Sequence, residues 1–254
     1  VACVHGDMLE IIANNQEGGV SFYTLASPRF DAPRFEKRLG RCVECHALVG
    51  HRTVGWIVAD ITTTTNGQPH VPDPAQPFSF TDDTVPFEKR WGGWYVTGNT
   101  GEMRHRGNVT SRPETPDDLP PTAGLNLASL SGRFEASQVL QPGSDVVALL
   151  TLEHQTGFTN RALALNVSFA EQDAQQLADY MTFRNEVKLP NPITGSSTFA
   201  ENFAAAGPRD AQGRSLRDFD LKTRMFRHPL SYMIYSTAFD ALRPGNKALV
   251  YRKL

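Results

Sequence analysis

The sequence predicts a mainly α-helical chain with a minor β component, and three stretches carry that reading. Apolar residues recur at helical spacing from 145 onward, in DVVALLTLEHQTGFTN. The segment 224–242, RMFRHPLSYMIYSTAFDAL, is apolar and aromatic at the same spacing. Ahead of residue 40, Asp31 supplies a cap, Pro33 suits a first turn, and Phe35 and Leu39 share one face. β-Rich runs are confined to 54–71 and 90–97.

Taken in order, residues 1–30 read as an N-terminal arm with a short helix at 7–15, and a helix with its motif occupies 31–50. VGWIVADITTTTNGQPHV (54–71) reads as two β runs around Asn66-Gly67, a hairpin turn dipeptide. PDPAQPF (72–78) is a proline-rich loop. RWGGWYVTGN (90–99) reads as a buried strand whose glycines let a backbone or a cofactor approach closely. From 109 to 143 the abundance of Pro, Ser, Thr and Gly predicts a long wrapping loop. Ser144 caps the strongest helix, 145–155, which resumes to 183 after Gly157. GPRDAQGRS (207–215) is a loop, Pro229 breaks the pattern of 224–242, and RPGNKALVYRKL closes the chain with a turn and a short helix. Without repeats, residues 31–254 are expected to form a single domain with a C-terminal helical part.

Composition narrows the function. The chain has 254 residues, 40% of them hydrophobic and 20% charged, with a net charge of -2. That balance gives no basic field to recruit nucleic acid. No apolar run approaches the roughly 18 residues of a membrane span. Residues 1–3, VAC, resemble the end of a lipoprotein cleavage site with Cys3 as the lipid anchor. Processing there would remove Val1 and Ala2, and both are present, so Cys3 reads as a free or intermolecularly paired thiol.

The chemistry concentrates in RLGRCVECHALVGH (38–51), where Cys42 and Cys45 precede His46. A dithiol redox pair belongs at the start of a helix, whereas the helical pattern here precedes the pair. A zinc site needs a second Cys/His pair, which the sequence lacks. Covalent attachment of one haem c remains: two thiols spaced for the vinyl groups, and an adjacent imidazole that becomes an axial iron ligand. Such attachment occurs outside the cytoplasm, so a periplasmic, extracellular or cell-surface location is expected. The chain is far longer than haem attachment alone requires, which suggests an enlarged c-type cytochrome with long wrapping loops.

CVECH, TVPFEKRWGGWYVTGNTGEMRHRGN (84–108), DVVALLTLEHQTGFTN (145–160) and SYMIYSTAFDAL with VYRKL (231–254) together resemble a family of single-haem bacterial proteins described as "cytochrome c domain-containing". The resemblance covers most of the chain from residue 20 onward. It implies one covalent haem in a single unit and no particular reaction. That family often has a histidine before the glycine matching Gly101; Thr100 stands there instead.

His46 is expected to hold one face of the iron, and His105 the other, with Met103 and His154 as the remaining candidates. GEMRHRGN follows the glycine-rich strand as a polar loop able to present His105. His154, on an apolar helix, reads first as a polar core residue beside Gln155. Trp91 and Trp94 are expected in the haem pocket or core, and Arg104, with Arg90 and Arg106, beside the haem propionates. The leading expectation is one-electron transfer to a redox partner protein, alone or within a larger redox assembly. The alternatives are a peroxidase- or oxidase-like haem enzyme with an open distal face, and a structural haem-bearing assembly subunit.

Overall fold

The computed structural model describes residues 2–5, 8–15, 19–26, 34–38, 40–47, 54–66, 68–70, 79–111, 122–133, 135 and 142–254. Their strands are β1 (Ala2–His5), β2 (Met8–Asn14), β3 (Val20–Ala26), β4 (Phe35–Arg38), β5 (Ala59–Asp60), β6 (Thr63–Thr64), β7 (Ser79–Phe80), β8 (Gly98–Asn99), β9 (Thr110–Ser111) and β10 (Thr194–Gly195). The helices are α1 (Arg41–His46), α2 (Val146–Ser168), α3 (Glu171–Met181), α4 (Phe199–Ala205), α5 (Thr237–Asp240) and α6 (Pro244–Lys253). Single 3-10 turns occur at Phe87–Lys89 and Tyr232–Tyr235.

Among the described residues helix accounts for 33% and strand for 18%, spread over several small sheets, so the mainly α expectation fails. The enlarged-cytochrome architecture inferred with it falls too. The largest error lies in the first 38 residues. The helix expected at 7–15 is β2, and β1 to β4 form an antiparallel meander. Cross-strand partners decide this: Leu9 faces Leu25, Ile11 faces Tyr23, and Ile12 faces Phe22. A helix of nine residues is marginal in water, whereas β-branched and aromatic pairs across strands add up. Phe35–Arg38 likewise pairs with β3, so helix begins only at Arg41. Asp31 and Pro33 lie outside the described residues, as does the 72–78 loop.

Other elements also depart from expectation. Residues 90–97 form a turn with Trp91 and Gly93 at positive φ (69° and 81°), and only Gly98–Asn99 pairs as a strand, with β10. Gly92 permits the close approach: a side chain there would meet Asp60 Oδ1 at 2.5 Å and the Ile61 carbonyl at 3.0 Å. The Asp60 side chain and the Ile61 backbone border that space. At 224–242, where helical spacing broken by Pro229 was expected, only a 3-10 turn and the four residues of α5 are helical, with Ser236 capping through Phe239 N–H. On either side of the expected Asn66-Gly67 turn, Thr64 N–H reaches the Gln68 carbonyl at 2.9 Å and His70 N–H the Thr62 carbonyl at 2.8 Å, and Gly67 itself lies outside the described residues. The 207–215 loop and the final helix occur where the sequence places them.

The chain divides into two compact units, each discontinuous in sequence. The first contains Val1–Ile57, Gly157–Met181 and Met233–Leu254; the second contains Val58–Thr156 and Thr182–Tyr232. α2 contributes residues to both and runs unbroken through Gly157 for 23 residues. Glycine costs about 1 kcal/mol in a helix, but this helix is buried on more than one side and tertiary packing outweighs that. In the first unit, Phe158 packs against Phe239, and buried Asn246 of α6 donates to the Leu165 carbonyl at 3.0 Å. In the second, Phe183, Phe203, Phe219, Phe226 and Tyr232 form one aromatic cluster.

Asp145, not Ser144, caps α2. Its Oδ1 accepts from Val147 and Ala148 N–H at 2.8 and 3.3 Å, and its Oδ2 from the Ser197 N–H and hydroxyl at 2.8 and 2.7 Å. Asp145→Ala is expected to cost about 2–3 kcal/mol, since it removes a cap and orphans the Ser197 donors. Urea unfolding would show a lowered midpoint; an unchanged midpoint would contradict the assignment.

Candidate functional site

The Cys42–His46 segment folds as α1. Cys42 and His46 are four apart, so the helical repeat puts these two on one side. Gly40, at φ 77°, turns the chain out of β4 into this helix. Cys42 is a half-buried free thiol in the first turn, which corrects the expectation that helix would only precede the pair. The Cys45 side chain lies outside the described residues, as does that of Cys3.

His46 is the best-defined part of this site. Its Nδ1 lies 2.9 Å from the Gly55 carbonyl oxygen, and a carbonyl only accepts. The Nδ1 proton is therefore fixed on that bond, and the Nε2 lone pair is left to act as a base or a metal ligand. Two backbone links brace the ring: Gly55 N–H donates to the His46 carbonyl at 3.0 Å, and Ala47 bridges to Val54. Trp56 then anchors the bracing segment, exchanging backbone bonds of 2.9 and 2.8 Å with the Asn160 amide while its indole donates to Asn14 at 2.8 Å. Phe22 lies beside the imidazole, ring centroids 4.9 Å apart. This is the outer support that ligating histidines use: one ring nitrogen held by a carbonyl, the other aimed outward.

The other expected site residues belong to the second unit and have different surroundings. His105 is buried against the edge of Trp91, ring centroids 5.2 Å apart. Its Nδ1 accepts from Gly107 N–H at 3.1 Å, so the neutral ring carries its proton on Nε2. Ligation through Nε2 would require that proton to leave. Burial lowers the His105 pKa to about 4. Met103 is buried. Trp94, half-buried, donates to the Ala59 carbonyl at 2.8 Å, and Arg104 is exposed. Of the other arginines, Arg106 pairs with Asp60 at 2.7 Å and Arg90 with Glu153 at 2.9 Å.

The sequence reading missed what Glu153 and His154 do together. Trp91 is fully buried and its indole donates to Glu153 Oε1 at 3.0 Å, while Arg90 donates to Oε2. His154, also fully buried, has Nδ1 2.5 Å from Asp83 Oδ2 and Nε2 2.6 Å from Ser231 Oγ. Asp–His–Ser in this order is the geometry of a nucleophilic triad. Here it is sealed: Ser231 and His154 are both 0% exposed, with Phe183, Phe226 and Tyr232 against the imidazole. An acyl group has no route to Ser231, so the arrangement works as a polar lock in the core. The sequence signal for it was slight, a histidine on an apolar helix and an acidic pair in FTDDTVPF; nothing marked Ser231.

Among the described residues no group of three or more His, Cys, Asp or Glu side chains converges to hold a metal ion. No helix among them is long and apolar enough to cross a membrane. Comparison of the chain with protein-family models, with curated proteins and with solved structures finds no match.

Ser231→Ala leaves the imidazole a partner short in a dry core and is expected to cost about 1–3 kcal/mol by denaturant unfolding. The folded protein should resist serine-directed fluorophosphonates; stoichiometric labelling of Ser231 would refute the sealed lock. Burial raises the Glu153 pKa to about 7, opposed by Arg90 and Thr81. A carboxyl raised on folding stabilises the fold fully below its unfolded pKa, and that contribution is lost as pH rises from about 4.5 to about 7. His105 acts oppositely, its contribution present above about 6.5 and lost as pH falls towards about 4. Glu153→Gln should therefore remove the loss between pH 5 and 7, on the order of 1–3 kcal/mol, and leave a profile that rises with pH. A variant profile parallel to that of the unmodified protein would contradict this.

Proposed function

We propose that the chain carries one haem c, bonded through Cys42 and Cys45 with His46 as axial ligand, and serves in one-electron transfer. The observation that carries this reading is the His46–Gly55 bond. It fixes the tautomer that leaves Nε2 free, on a helix that contains Cys42 and Cys45 and whose repeat puts Cys42 and His46 on one side. The resemblance of CVECH and RWGGWYVTG to single-haem proteins supports it. When bound, the group would supply Fe(III)/Fe(II) cycling. The protein's part is to hold the His46 ring still, through Gly55 and the Trp56–Asn160 pair, so that little reorganises on electron transfer.

The proposal places the protein in the periplasm or at the cell surface, where thiols are joined to haem, with a redox protein as its partner. The ring arrangements of His105 and His154 favour neither as the second axial ligand, because one presents an N–H and the other has both nitrogens engaged. Carbon monoxide binding by the reduced protein separates a pure electron carrier from a haem enzyme with an open face. The first-turn position of Cys42 suits a dithiol redox pair as well, and this is the competing reading.

Intact mass under denaturing conditions tests both. The expected mass is the chain plus one haem, retained after acid–acetone extraction and absent from the Cys42→Ala/Cys45→Ala protein. A bare chain that loses two hydrogens on mild oxidation would replace haem with a dithiol.

A further inference from the structure

Four ionisable side chains meet in the core of the second unit. Arg90, Glu153, His154 and Asp83 have side chains 1%, 0%, 0% and 6% exposed. Arg90 Nη1 lies 2.9 Å from Glu153 and Asp83 Oδ2 lies 2.5 Å from His154, while Asp83 also acts on Glu153 through its charge. Other charged groups face the cluster. Glu186 and Arg224, 3.5 Å apart, cancel one another beside Asp83 and His154. Arg217, half-exposed, lies over the Tyr232 ring, and burial keeps the Tyr232 hydroxyl neutral.

A dry interior favours a net charge of zero. Arg90 is positive and Asp83 negative, so Glu153 and His154 must be neutral as a pair. Two arrangements meet that condition: a protonated carboxyl beside a neutral imidazole, or a carboxylate beside an imidazolium. Both hold one titratable proton. Removing it leaves the core at −1 and adding another takes it to +1, so each step away from one proton changes the charge of the pair as a whole.

We infer that Glu153 and His154 share this single proton, Glu153–COOH with neutral His154 exchanging with Glu153–COO⁻ and His154–H⁺, and that the Ser231 hydroxyl turns with it. In the neutral-imidazole form Nδ1–H donates to Asp83 and Nε2 accepts the Ser231 O–H. In the imidazolium form Nε2–H donates to Ser231 Oγ, and the hydroxyl proton is directed to another acceptor. Opposing effects act on the carboxyl. Arg90, Trp91 and Thr81 donate to it and favour its charge, whereas burial opposes that charge. Titration then belongs to the pair and not to either residue. The inference is independent of the haem reading.

The test is a pH series from about 5 to 9 on the full-length protein, with ¹³C-labelled glutamate and ¹⁵N-labelled histidine observed by NMR. The Glu153 carboxyl carbon and the His154 Nε2 should move together, at common midpoints. In Glu153→Gln the pair loses its second proton site, and the His154 ring should keep its neutral-form signals through the series. Independent midpoints in the unmodified protein, or a His154 ring indifferent to Glu153→Gln, would overturn the inference. Should that variant fail to fold, co-titration in the unmodified protein decides alone.

Discussion

Two consecutive polar side chains of α2, Glu153 and His154, are cut off from water, and the second unit is arranged around satisfying them. Neighbours on a helix point about 100° apart, so no single partner can serve both. Glu153 takes Arg90 and Trp91 from the turn at 90–94; His154 takes Asp83 from one segment and Ser231 from another. Removing one partner of a buried pair leaves an uncompensated charge, and such a loss costs several kcal/mol. The RWGGWYVTG stretch owes its shape to this requirement. Trp91 is held at positive φ with its indole on Glu153, and Gly92 is bare because Asp60 occupies the space beside it.

Much of the fold was legible where a local rule decides and illegible where distant segments decide. The turn near Asn66-Gly67, the 207–215 loop and the last helix, with Pro244 in its first turn, follow from turn chemistry and proline geometry. The N-terminal strands do not. MLEIIAN has no alternation that separates strand from helix, and only β3 and β4, well along the chain, supply the partners that settle it. At 224–242 helical spacing was present, but Phe226 and Tyr232 are used in an aromatic cluster and the backbone follows them. α2 was found but its break was misplaced: the helix continues through Gly157 and ends at Ser168, with α3 following, because Gly157 reads as a breaker until its burial is known.

The candidate site divides in the same way. CVECH is visible because its chemistry is contiguous; the support of His46 by Gly55 joins residues nine apart in sequence through a backbone carbonyl, which leaves no trace in residue type. His105 was chosen for its loop, yet its tautomer depends on the Gly107 amide. Ser231 and Asp83 were unremarkable until brought to either side of one imidazole. Backbone acceptors and long-range polar partners are thus the parts of a site that composition and spacing conceal.

The interleaving of the two units bears on how the chain is made. Residues 41–46 leave the ribosome well before Met233–Leu254, which completes their unit. Until then Cys42 and Cys45 belong to an unfinished unit whose core still lacks α5 and α6. Any enzyme that modifies these thiols therefore meets an open substrate first and a closed one later. For thiols so placed, order of synthesis matters beside surface exposure in the finished molecule.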